Sequence, residues 1–88
     1  MQFMVQFSLN PENEVPAVSR FKETGAPPPD GVKMVGRWHS AIMHEGFNLI
    51  ETDDVEALAS WCSQWADLLS FRIVPVLSDE QLMKVMSP

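Results

Sequence analysis

Apolar and polar residues alternate along residues 2–9, where Phe3, Val5, Phe7 and Leu9 are interleaved with Gln2, Met4, Gln6 and Ser8. A period of two sends neighbouring side chains to opposite faces, so this segment predicts a strand with unlike faces. Asn10-Pro11-Glu12-Asn13 breaks the pattern. The spacing then predicts a helix over 14–24, with Asn13 as N-cap and Val15, Ala17, Val18 and Phe21 as its buried stripe. Starting it after Asn13 leaves Pro16 in the first turn, where a missing N–H does no harm; an earlier start would place that proline in the interior at about 3 kcal/mol. Gly25 suits the C-terminal stop. Gly25-Ala26-Pro27-Pro28-Pro29-Asp30-Gly31 reads as a stiff, extended connector.

A second strand is predicted at 32–40, with Gly36 hinting at a bulge or a close backbone approach, and a third at 47–52; the short link around His44-Glu45-Gly46 makes them a hairpin. Thr52-Asp53-Asp54 opens the strongest helical pattern, with Asp53 or Thr52 as the cap. Val55, Leu58, Ala59, Cys62, Trp65, Ala66 and Leu69 recur at steps of three and four, and Trp61 and Leu68 flank that stripe. Residues 71–77 read as a fourth strand. Pro75 cannot donate to a ladder, which places this strand at a sheet edge or at a break in pairing. Ser78 and Gln81 match a capping box for a short terminal helix carrying Leu82, Val85 and Met86.

This order predicts an α+β fold of the ferredoxin-like βαββαβ type. One antiparallel sheet in strand order 4-1-3-2 carries two helices on one face, with a short C-terminal helix after it. At 88 residues the chain is one domain, residues 1–88, too short to bury a large core and helped by pairing with itself. By alternation Phe3, Val5, Phe7, Met34, Trp38, Phe47, Leu49, Phe71 and Ile73 are expected to face the helices. Met4, Gln6, Ser8, Val35, Arg37, His39, Asn48, Ile50, Thr52, Arg72, Val74 and Val76 are expected on the other face. That second set is too apolar for a fully wetted surface, and predicts that a second copy covers it, in a homodimer through the sheet face.

Val35-Gly36-Arg37-Trp38, Glu51-Thr52-Asp53-Asp54, the pair Trp61 and Trp65, and Phe71-Arg72-Ile73-Val74-Pro75-Val76 carry a family resemblance. Together with the opening strand, the layout resembles the dimeric α+β-barrel superfamily of ferredoxin-like domains, in which two sheets pack into one barrel. Within that group it resembles a family of small bacterial proteins of unknown function. Pro16 and the three prolines at 27–29 depart from the pattern. The superfamily includes small monooxygenases, haem-degrading enzymes, isomerases and proteins without known activity, so the resemblance implies a fold and a dimer rather than a reaction.

Charge and composition narrow the function classes. The apolar share is 45%, the charged share 20% and the formal net charge −6. Six scattered basic residues make no patch, so neither nucleic acid nor an anionic membrane is expected as a partner. A lone cysteine, Cys62, forms no internal disulfide and no multi-thiolate zinc site; it reads as a buried thiol and suits a reducing, cytoplasmic home. No apolar run has the length of a membrane span. His39 and His44 do not share a helical face, so no metal site and no cofactor are expected, and there is no phosphate-binding glycine loop or catalytic triad.

Period two groups Gln6, Arg37, His39, Asn48 and Arg72 as candidate ligand-binding residues lining a cavity between two sheets. Two guanidinium groups suit an anion, and His39 is the candidate base, since imidazole is the side chain that titrates near neutrality. The plainer alternative is a hydrogen-bonded structural histidine with both arginines reaching solvent. Trp38 and Glu51 form a second candidate pocket on the helix side. The expected function is binding of a small anionic or aromatic molecule. A cofactor-independent monooxygenase- or isomerase-like enzyme and a non-catalytic dimeric interaction or sensing module are the alternatives.

Overall fold

The computed structural model describes residues 1–87. Its elements run β1 (Gln2–Ser8), a single 3-10 turn (Pro11–Asn13), α1 (Glu14–Thr24), β2 (Lys33–His39), β3 (Glu45–Glu51), α2 (Val55–Ser63), β4 (Ser70–Val76) and α3 (Asp79–Met86). The sheet is wholly antiparallel in the order β2-β3-β1-β4. This is the βαββαβ ferredoxin-like layout, with Pro75 on an edge strand as its missing donor requires. No described helix is long and apolar enough to cross a membrane.

Local chemistry accounts for the helix ends. Gly25 closes α1 in the left-handed region, φ 71°, and its N–H donates to the Phe21 carbonyl. Asn13 precedes α1 but its side chain makes no cap; its Nδ2 donates to the Leu68 carbonyl instead and ties α1 to the turn after α2. Asp54, rather than Asp53 or Thr52, caps α2 by accepting from the Ala57 N–H. Thr52 is buried below that cap; its hydroxyl accepts from the Asp54 N–H and donates to the Gly31 carbonyl. The Ser78–Gln81 capping box of α3 has both of its reciprocal bonds.

Two features differ from the helical pattern. α2 ends at Ser63, because the chain tightens into turns in which Trp65 and Leu68 donate three residues back, to Cys62 and Trp65. Trp61, inside α2, is a core residue rather than a flank. On α1 only Ala17 is fully buried and Val15 is 80% exposed.

The core joins Phe3 and Val5 of β1, Val32, Ile50 of β3, and Leu58 and Trp61 of α2, with Met34, Cys62 and Phe71 packed against it. Ile50 is 0% exposed. Cross-strand pairing sets the faces: Phe3 lies opposite Ile50, Val5 opposite Asn48 and Phe7 opposite Gly46. The helix-facing set of β3 is therefore Gly46, Asn48, Ile50 and Thr52, and Phe47 and Leu49 lie on the other face. On β2 a bulge between Met34 and Gly36 changes the phase. Met34 pairs with Ile50 on the helix side, and beyond the bulge Arg37 pairs with Asn48 and His39 with Gly46 on that same side. Trp38 pairs with Phe47 on the opposite face, where its indole folds over Gly36.

Candidate functional site

Arg37, His39 and Asn48 meet on the helix side of the sheet, opposite to the face that alternation alone predicts. They line a hollow between sheet and helices together with Val5, Phe7 and Phe71 from β1 and β4, Phe21 from α1, Ala26 from the proline-rich loop, and Trp61, Cys62, Trp65 and Leu69 from α2 and the turn after it. Its volume is about 70 Å³, room for about five water-sized spheres. The exposed lining residues Phe21 and His39 mark its mouth. A wider hollow of about 290 Å³ adjoins it across Ala26, Trp61 and Trp65 and is edged by Arg20, Thr24, Pro27 and Gln64.

Gln6 and Arg72 do not join this group. They are cross-strand partners on the opposite face, with Gln6 beside Phe47 and Phe47 beside Trp38. Trp38, 56% exposed, and Glu51, also exposed, lie on that open face as well, so they form no pocket under the helices. The physical reason is one of phase. Phe47 and Leu49 are the more conspicuous apolar pair of β3, but Ile50 is the residue the core encloses, and the bulge in β2 carries Arg37 and His39 with it.

Arg37 is placed by the loop as much as by its strand. Its Nη1 donates to the Gly25 carbonyl at 3.2 Å and its Nη2 to the Ala26 carbonyl at 2.7 Å. The guanidinium also lies 5.4 Å from the centre of the Phe21 ring, within cation–π range. No carboxylate is bonded to it among the described residues, and desolvation lowers its pKa from the ordinary guanidinium value. Its Nε is buried without a hydrogen-bond partner.

Asn48 stands directly across the ladder from Arg37 and is 7% exposed, and its Oδ1 is the second buried side-chain atom without a partner. A donor and an acceptor thus sit unpaired on adjacent strands, in a hollow otherwise walled by aromatic and aliphatic groups. His39 makes edge contacts with Phe7 at 5.8 Å and Phe21 at 5.6 Å between ring centres. Burial pushes the Cys62 thiol pKa up, which favours the uncharged form.

Arg20 closes the outer side. It forms a two-pronged pair with Asp67 at 2.9 and 2.8 Å, donates to the Gln64 carbonyl, and lies over the Trp65 ring at 5.3 Å. Those contacts join α1 to the turn after α2 and hold Trp65 against the pocket. The sequence pattern leaves Trp61 and Trp65 as either core or pocket walls, and does not point to Arg20 or Phe21 as parts of this site. The Arg20–Asp67 pair spans two distant segments, and nothing in local periodicity signals it.

Among the described residues, no group of three or more His, Cys, Asp or Glu side chains is arranged to hold a metal ion. Comparison with curated proteins and with solved structures gave no significant match. A family model for a domain of unknown function, DUF3303, matches residues 1–88, and the chain belongs to that family.

Proposed function

We propose that this domain binds a small molecule in the hollow between the sheet and its two long helices. One observation carries the reading: Arg37 Nε and Asn48 Oδ1 are buried and unpartnered in a pocket whose other walls are mostly apolar. Buried polar groups are nearly always paired, and an apolar cleft with a few convergent polar atoms is the usual form of a ligand site. His39 is the residue an enzymatic reading would need. Its edge contacts with Phe7 and Phe21 give it a packing role, which supports binding over catalysis.

Screening small ring compounds by thermal shift against the wild-type protein and Arg37→Met tests the reading. Stabilising compounds should lose their effect in the variant. Compounds that stabilise both proteins equally would place binding elsewhere.

A homodimer through the sheet face opposite the helices is the second part of the proposal. Met4, Leu49 and Val74 form a continuous cross-strand row there, and Trp38 and Phe47 lie in the next row. Trp38 is exposed there and the other four are half-buried. A second copy placed face to face would bury this surface and produce the α+β barrel. Arg72 and Gln6 would then lie between the two sheets, and sedimentation at graded concentration decides the state.

A further inference from the structure

We infer that the pocket is built for an uncharged hydroxyl carried on a single aromatic ring, a phenol, rather than for a carboxylate. The inference rests on the pocket reading above and adds the chemistry of its ligand.

The polar groups define what the head must offer. Three of the five Arg37 N–H groups go to the Gly25 and Ala26 carbonyls and the Met34 sulfur; the buried one left without a partner is on Nε. A carboxylate gains most from two parallel guanidinium N–H groups, and that face is already used. Beside the free donor stands a free acceptor, Asn48 Oδ1, on the paired position of the neighbouring strand. An acceptor repels a carboxylate oxygen. Both atoms have almost no accessible surface, so the two side chains turn toward the hollow as a hydroxyl binds: its oxygen accepts from Arg37 Nε–H, and its hydrogen goes to Asn48 Oδ1.

The walls define the body. Phe7, Phe21, Trp61, Trp65 and Phe71 surround the hollow, and aromatic rings meet one another edge-to-face or offset. A hollow near 70 Å³ is about half the cavity that encloses benzene, so one ring enters it only in part, with its far edge in the open mouth at Phe21 and His39.

Titrating the ¹⁵N-labelled protein with phenol, toluene, benzoate and benzamide while following the Arg37 Nε–H and Asn48 side-chain amide resonances tests this. Phenol should bind about tenfold more tightly than toluene, the value of one or two hydrogen bonds to otherwise unpaired groups. It should also bind more tightly than benzoate, and it should move both resonances. Asn48→Leu should bring phenol and toluene to near-equal affinity. Should that variant fail to fold, the order of the four probes on the wild-type protein still decides. Benzoate or benzamide binding more tightly than phenol, or toluene binding equally well, would overturn the phenol inference and leave the pocket standing. Failure of all four probes to perturb the pocket would overturn both.

Discussion

Thr52 and Gly31 are joined by a 2.6 Å hydrogen bond, from a buried hydroxyl at the end of β3 to a carbonyl at the end of the proline-rich loop. The same hydroxyl accepts from the Asp54 N–H at the start of α2. One side chain therefore connects the sheet, the loop that holds Arg37 and the helix that carries Trp61. Thr52→Val keeps the shape and leaves two backbone groups short of a partner. It should lower stability by about 1–3 kcal/mol in urea denaturation. Thr52→Ser, which retains the hydroxyl, should lose much less.

Cys62 lines the same pocket that Arg37 and Asn48 enter. Its thiol pKa is raised by desolvation, so the thiolate fraction at neutral pH is below that of a free cysteine. Iodoacetamide should modify it more slowly than glutathione at pH 7.5. The midpoint of its pH–rate profile should lie above the ordinary thiol value, and an occupant of the pocket should slow it further. A Cys62 as reactive as free thiol would mean that the pocket is open water rather than a packed hollow.

The order of the elements was legible because each has its own period and its own punctuation. Alternation in β1, Gly25 after α1, the Ser78–Gln81 box and Pro75 on an edge strand all act locally, and the structure realises each of them. Faces were less legible where both sides of a strand are apolar. β3 offers Phe47 and Leu49 to one side and Ile50 to the other, and it buries two polar residues, Asn48 and Thr52, beside Ile50. Local hydropathy gives such polar residues to solvent; tertiary pairing places them inside. Gly36 pointed to the bulge, but a bulge shifts every residue beyond it, so the positions of Arg37 and His39 depended on where the extra residue fell.

Arg20 and Asp67 are expected to give the fold an acid-sensitive tie. Hydrogen bonds from Arg20 hold the Asp67 carboxyl below its ordinary pKa. A folded-state pKa depressed below the unfolded value contributes stability that is complete above about pH 4 and is lost as pH falls through the folded value. Asp67→Asn should therefore lie below wild type at neutral pH and converge with it in acid. Both groups are at the surface, so the gap should narrow in high salt. Chemical denaturation at pH 7 and pH 2.5, each with and without added salt, checks the sign. A gap that grows in acid would contradict the pairing.

The open sheet face carries the last prediction. Trp38 lies more than half exposed beside Phe47, and Met4 and Val74 face each other across β1 and β4. α3 adds Leu82, Val85 and Met86, all exposed, close in the chain to the same sheet. Burial of this surface by a second copy would remove large apolar side chains from water, and tryptophan is a typical anchor for such a contact. Wild type should sediment as a dimer at micromolar concentration. Val74→Asp would place an unpaired carboxylate within the interface, at about 3–5 kcal/mol, enough to raise the dissociation constant by more than a hundredfold. That charge sits at a half-buried position and also burdens the single chain. Trp38→Ala separates the two effects, because an exposed indole contributes little to the monomer. It should weaken the dimer while leaving circular dichroism unchanged. A wild-type chain that stays monomeric through this concentration range would exclude the barrel, and Trp38 would then need another partner.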